Sequence, residues 1–242
     1  MLESLSVVIP AYNEEARLPA TLTKVADYLT TANLSFWEVL VVDDGSTDGT
    51  AAAVESFSKQ RSGIRLLRNP GNRGKGYSVR HGMMTGRGAW LLFTDADLSA
   101  PIEELEKLAA AVTRENADGA IGSRGLDRSL IGVHQPAFRE NAGKFFNTVM
   151  RLATRLPYKD TQCGFKLFRQ DAAERIFRRQ QLERFGFDVE ILYIARKLNY
   201  KIVEVPVRWN HVDGSKVGMA QGIDGFVDVL RVLKNSASGR YD

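Results

Sequence analysis

In the stretch AWLLFTDADLSAP two aspartates, Asp95 and Asp97, stand one residue apart at the end of an apolar run. Carboxylates at i and i+2 leaving a strand face the same way, so both reach one ion or the groups around it. Three chemistries suit acids in this place. One is capping of a helix that starts near Pro101, although Ser99 is the better N-cap. A second is a calcium loop, since Asp95, Asp97, Ser99 and Glu106 have the spacing of its ligands. That reading fails because Ala100 stands where the sharp turn needs glycine, and because a strand rather than a helix precedes the loop. The third is a site where hard carboxylate oxygens hold Mg²⁺ or Mn²⁺ against a substrate's phosphates.

The elements that must carry such groups alternate along the chain. Strands are expected at LSVVIP, WEVLVV, IRLLRN, AWLLFT, DGAIGS, CGFKLF and KIVEVPVRW. Helices are expected near Leu18 to Thr31, Asp48 to Lys59, Lys75 to Thr85, Pro101 to Arg114, Asp171 to Gln180 and Phe187 to Leu198, with a last one from about Gly222 to Lys234. Val-, Ile- and Leu-rich strands separated by helices imply an α/β fold with a mostly parallel sheet covered on both faces. One domain over residues 1–242 is the economical reading. In such sheets ligands gather outside the carboxyl ends of the strands, where IPAYNEE, VVDDGSTDGT, RNPGNRGKG, FTDADLSAP and GSRGLDR fall.

Composition narrows the function further. The 242 residues are 44% hydrophobic, which supports an ordinary globular core. The single cysteine, Cys163, excludes an intramolecular disulfide and a Cys-based zinc site and fits a reducing compartment, so cytoplasm is expected. MLESLSVVIP reads as a first strand and not a signal peptide. No stretch approaches the roughly 20 apolar residues of a membrane span. The net charge is +4, yet from Arg61 to Gly88 there are seven Lys or Arg and no Asp or Glu. That run is either a solvated basic face or a surface for phosphates. Nucleic acid is not expected as a partner, for no aromatic interleaving, helix-turn-helix or zinc pattern is present. GNRGKGYSV matches neither a dinucleotide fingerprint nor a P-loop. It offers backbone that approaches a ligand closely, with Lys75 at a helix start as an anion position.

VVIPAYNEE, VVDDGSTDGT, GNRGKG and DADL, in this order, resemble the nucleotide-binding half of the family 2 glycosyltransferases, which have the Rossmann-like GT-A fold. DTQCGFKLFRQDAAERIF, RFGFDVEILYIARKLNYKIVEVPVRW and DGSK are similar to dolichyl-phosphate β-glucosyltransferases and their bacterial polyprenyl-phosphate relatives. The resemblance covers about nine-tenths of the chain. It implies a nucleotide-sugar-binding half over residues 1–125 and an acceptor-binding half over 126–242. It further implies that Pro10, Tyr12, Glu14 and Asp43 or Asp44 hold the base and ribose, and that Asp95 and Asp97 are the diphosphate and metal carboxylates. Arg124 in GSR and Arg139 in AFREN match residues used on phosphates, those of the acceptor above all, and Lys216 in GSK matches a lysine that closes over the diphosphate. Ser99 departs from the mannosyl branch, which carries DADLQ. His211 lies near a mannosyl-branch arginine and, as a neutral imidazole, is a candidate contact for the metal or the diphosphate. DTQCGFK, unlike the mannosyl pattern, favours glucose over mannose.

The implied reaction is inverting transfer of glucose from UDP-glucose to a polyprenyl phosphate, assisted by Mg²⁺ or Mn²⁺. The alternatives are a GDP-mannose-dependent mannosyltransferase and a non-catalytic nucleotide-sugar-binding module. A phosphate monoester acceptor is already largely dianionic at neutral pH and needs positioning more than a base. A hydroxyl acceptor would need one, and Asp188 and Glu190 in FDVE are the candidates, unless they serve only to begin their helix. Between Ala137 and Leu156, the apolar residues Phe138, Ala142, Phe145, Val149, Leu152 and Leu156 recur at helical spacing, with Lys144, Arg151 and Arg155 on another face. That pattern suits either a core-packed helix or a membrane-interface helix. The phosphate-lipid reading favours the second, with the final helix contributing, so the expected location is peripheral on the cytoplasmic face of a membrane.

Overall fold

The structure is a computed structural model that describes residues 2–133, 148, 150–212 and 220–242, with side chains left undescribed over 220–226. Its strands are β1 (Ser4–Ala11), β2 (Phe36–Asp43), β3 (Ile64–Arg68), β4 (Trp90–Thr94), β5 (Gly119–Ser123), β6 (Ile131–Val133), β7 (Phe165–Arg169), β8 (Ile202–Pro206) and β9 (Trp209–Asn210). Its helices are α1 (Leu18–Thr31), α2 (Thr50–Gln60), α3 (Lys75–Thr85), α4 (Leu105–Glu115), α5 (Gln170–Arg179), α6 (Phe187–Lys197) and α7 (Ala220–Ala237). Among the described residues, seven strands form one sheet in the order β3-β2-β1-β4-β7-β5-β8, and β6 pairs with β9 beside it.

Alternation along each strand divides the apolar side chains between two cores. Leu5, Val7 and Ile9 of β1, Val39 and Val41 of β2 and Leu92 of β4 pack with α1, α2 and α4. Val8, Leu40, Val42, Leu91 and Phe93 pack on the other face with α3, α5, α6 and α7. The sheet is thus buried on both faces, which is why its strands read as unbroken hydrophobic runs.

Two features depart from the expectations, and one reversed strand adds detail to the expected, mostly parallel sheet. The run KIVEVPVRW is not one strand: β8 ends at Pro206, opposite Ser123 where its partner β5 also ends, and β9 resumes in the small second sheet. β7 is antiparallel to both its neighbours, β4 and β5, within an otherwise parallel sheet. Of the amphipathic stretch from 137 to 156, residues 148 and 150–154 are helical, and Phe138, Ala142, Phe145 and Val149 of its proposed face lie outside the described residues. Arg155 takes φ 55, a left-handed conformation that ends the helix. Leu156 therefore turns into the core while Leu152 stays 76% exposed, so the two do not share a face.

Candidate active site

The first two rim loops hold each other. Asn13 is at φ 53, and from there its N–H donates to Ser46 Oγ (2.9 Å) while its Oδ1 accepts from Thr47 N (2.8 Å). Glu14 N donates to Thr50 Oγ1 (2.8 Å), and Glu15 Oε2 accepts from Gly49 N (2.8 Å). PAYNEE and DGSTDGT are therefore one structural unit, which brings Pro10, Tyr12 and Glu14 beside Asp43 and Asp44. Glu14 also pairs with Arg17 at 2.7 Å. The two aspartates then separate in role. Asp44 accepts from Asn69 Nδ2 (2.8 Å), Arg73 N (3.0 Å) and Gly74 N (2.7 Å), so it braces the glycine loop. Asp43 Oδ1 accepts from Ser46 N at 3.1 Å and leaves more of its carboxylate for a ligand.

At the end of β4 the DADL turn passes through Leu98 at φ 47, with Leu98 N donating to Asp95 O (3.1 Å) and Thr21 Oγ1 to Ala96 O (2.6 Å). Asp97 Oδ1 accepts from Ser99 N at 2.9 Å. Asp95 Oδ1 pairs with Lys75 Nζ at 2.5 Å, and its Oδ2 packs on Gly164, where a Cβ would stand 2.2 Å away. Burial alone would lower the Lys75 pKa, but the carboxylates of Asp95, Asp188 and Asp97 hold it above its ordinary value.

Arg124, just past β5, makes a forked pair with Asp160: Nε to Oδ2 at 2.7 Å and Nη2 to Oδ1 at 2.9 Å. Burial opposes the charge on Asp160, yet Arg124 and two backbone amides draw its pKa down to about 2. The guanidinium lies 5.3 Å from the Trp209 ring centroid, and Trp209 stacks on His211 at 6.1 Å. Asn210 N donates to Ser99 O (2.8 Å), tying the strand before His211 to the turn that follows Asp97. His211 is thus brought to the DADL side of the site. Arg139 and Lys216 lie outside the described residues.

Hard oxygens from two neighbouring carboxylates are what Mg²⁺ or Mn²⁺ takes from a protein when a substrate's phosphates and water complete its shell. Asp97 fits that task better than Asp95, because Asp95 is already held between Lys75 and Gly164. Among the described residues no three His, Cys, Asp or Glu side chains gather as a metal cluster.

The glycine-rich loop is packed at Gly74 and Gly76 and open at Gly71. Its close approaches are to protein: a Cβ on Gly74 would meet Glu183 O at 2.7 Å, and one on Gly76 would meet Leu182 O at 2.7 Å. Tyr77 N donates to Glu183 O (2.9 Å). The glycines let α3 dock on residues 182–187, and this docking aims Lys75 at Asp95.

Neither FDVE acid is placed as a base. Asp188 forms an ion pair with the fully buried Lys166, whose Nζ also donates to Cys163 O at 2.7 Å. Glu190 is fully buried and accepts from Gln181 N (3.0 Å), Leu182 N (2.8 Å) and Tyr241 OH (2.6 Å). Burial raises its pKa against the pull of those bonds. Sequence reasoning missed Asp160, Gly164, Lys166 and Trp209. The stretch DTQCGFK contains the first three, and its signal was a lysine and a glycine inside an apolar strand.

Comparison with known proteins establishes the family. The model of glycosyl transferase family 2 matches residues 6–177. The chain is 41% identical over 247 residues to the dolichyl-phosphate beta-glucosyltransferase of Drosophila melanogaster, covering 95% of this chain and 75% of that protein. It is 37% identical over 247 residues to the Saccharomyces cerevisiae protein of the same name, covering 96% and 72%. Glucosyl-3-phosphoglycerate synthase from Mycobacterium tuberculosis, solved with Mn²⁺, uridine diphosphate and glucosyl-3-phosphoglycerate, shares the fold with a TM-score of 0.67 at 17% identity, over 95% of this chain and 80% of that one. With that family's model matched over most of the chain and relatives above 35% identical along nearly all of it, the chain belongs to glycosyl transferase family 2.

Proposed function

We propose that this glycosyltransferase moves glucose from UDP-glucose to a polyprenyl phosphate with inversion at the anomeric carbon. The observation that carries the choice of acceptor is the engagement of both candidate bases: Asp188 is spent on Lys166, and Glu190 on Tyr241 and two amides. An acceptor that arrives already ionised needs no base, and a phosphate monoester is such an acceptor. The names of the relatives support the same donor sugar and lipid class.

The parts divide as follows. Pro10, Tyr12, Glu14 and Asp43 hold the nucleoside, with Asp44 bracing the loop beside them. Asp97, assisted by Asp95, holds Mg²⁺ or Mn²⁺, with His211 a further contact; the ion when bound offsets charge on the departing diphosphate. Lys75 adds a fixed cation beside that diphosphate, and Lys216 closes over it. Arg124, oriented by Asp160 and Trp209, keeps Nη1 for the acceptor phosphate, and Arg139 joins it there. Two anions are thereby held in line at the anomeric carbon, where proximity and charge compensation provide the catalysis.

A lipid acceptor requires contact with a membrane. No helix among the described residues is long and apolar enough to cross one. α7 exposes Val227 (42%) and Leu230 (67%) beside Arg231 and Lys234, an arrangement that suits peripheral binding to an anionic surface, here assigned to the cytoplasmic face. The test supplies UDP-glucose or GDP-mannose, each with Mg²⁺ or Mn²⁺ and a short polyprenyl phosphate, and measures sugar-labelled lipid. Glucosyl lipid from UDP-glucose alone is expected; mannosyl lipid reassigns the donor, and no product from either donor overturns the acceptor.

A further inference from the structure

Tyr241 lies far along the chain from the rim loops, yet it is fully buried and bonded into their support. Its hydroxyl donates to Glu190 Oε1 at 2.6 Å, and its ring tilts against Tyr193 with centroids 6.2 Å apart. Glu190 in turn accepts the amides of Gln181 (3.0 Å) and Leu182 (2.8 Å). The segment pinned in this way is the one on which the glycine loop rests. Gln180 Nε2 donates to Gly76 O (2.9 Å) and to Leu182 O (2.8 Å), Glu183 O accepts from Tyr77 N (2.9 Å), and Arg73 pairs with the Glu183 carboxylate. There is no slack in this contact, because Gly74 and Gly76 bring backbone against backbone without room for a Cβ. Between those two glycines stands Lys75, held at 2.5 Å from Asp95.

We infer that Tyr241 and Glu190 are positioning residues: through the segment 181–183 they set the glycine loop and so aim Lys75 at the diphosphate side of the site. A carboxylate kept fully buried by three donors is consistent with such a task, since the loss of any donor leaves it under-satisfied and lets the segment shift. The link to nucleotide binding rests on the proposed function, whereas the packing link does not.

The test compares Tyr241→Phe, Lys75→Ala, the double variant and Val232→Ala, the last trimming a buried apolar side chain of α7 without removing a hydrogen bond. Amide exchange is read over 74–78 and 181–183, and affinity for UDP with Mn²⁺ is read by calorimetry. Tyr241→Phe is expected to speed exchange in both segments by about tenfold and to weaken UDP about fivefold, the scale of one net hydrogen bond. Added to Lys75→Ala it should weaken UDP by less than about twofold more, because both changes act through one side chain. Val232→Ala should lower the Tm and leave both readouts in place. Unchanged exchange over 74–78, multiplicative losses in the double variant, or an equal effect of Val232→Ala would each overturn the inference. If Tyr241→Phe does not fold, Arg73→Ala frees the same contact at an exposed pair, and unchanged exchange there overturns it too. A wild type that ignores UDP removes the nucleotide reading, and the exchange arm still decides the positioning.

Discussion

Gly164 leaves room for the Asp95 carboxylate: a Cβ at 164 would lie 2.2 Å from Oδ2 and 2.6 Å from Cγ. The closest atoms belong to a side chain that is itself fixed by Lys75 on its other oxygen. Gly164→Ala should therefore swing Asp95 out of place rather than unfold the sheet. Transfer is expected to fall roughly 100-fold, the scale of an ångström-sized misplacement, with a small change in Tm. Normal activity in this variant, measured by labelled-lipid formation, would remove Asp95 from the site.

Asp97→Asn keeps the hydrogen bond to Ser99 N through its amide oxygen but loses the charge. Transfer should drop by about 10³-fold, and the gain in UDP affinity on adding Mn²⁺ should vanish, as read by calorimetry with and without the ion. Retention of that gain would assign the ion to another residue.

Arg124→Lys cannot reproduce the forked pair with Asp160. Leaving Asp160 under-paired should lower stability by about 2–4 kcal/mol in urea unfolding. Acid should act on the same pair. The Asp160 pKa is depressed to about 2 in the folded state, so its stabilisation is complete above the ordinary aspartate range near pH 4 and is lost as pH falls through about 2. The loss is about 2 kcal/mol. Asp160→Asn should flatten the unfolding free energy across that window, and an unaltered acid slope would exclude the pair as its source.

Asp188→Asn should leave Lys166 as a buried charge without its partner, lowering stability by about 3–5 kcal/mol. The double variant Asp188→Asn with Lys166→Met removes both charges and should recover most of that stability. If Asp188 has no role as a base, the double variant transfers sugar within roughly tenfold of wild type. A stable double variant without activity would restore Asp188 to the chemistry.

The fold was largely legible because a sheet covered on both faces forces apolar runs of strand length, and Leu18 to Thr31 and Lys75 to Thr85 read out as helices with the bounds observed. The DADL turn was legible for the same reason: acids directly after a buried run must sit at its rim. Direction within the sheet was not, since CGFKLF has the same composition whichever way it runs. The partner of Arg124, thirty-six positions along the chain, carries no local signal at all. GNRGKG showed that backbone comes close to something, and only the fold shows that the something is residues 182–187.

The reversed strand β7 also bears on how the GT-A fold is put together during synthesis. Residues 1–125 carry β1 to β5, yet β4 and β5 are not neighbours; the strand that joins them is made more than forty residues later. Until Phe165–Arg169 emerges, the sheet has a gap at its centre and Asp95 lacks the Gly164 surface it rests on. A chain cut after residue 125 would leave β4 with one bare edge and β5 with no neighbour at all, so the centre of the sheet and the full surroundings of Asp95 form together, late in the making of the chain.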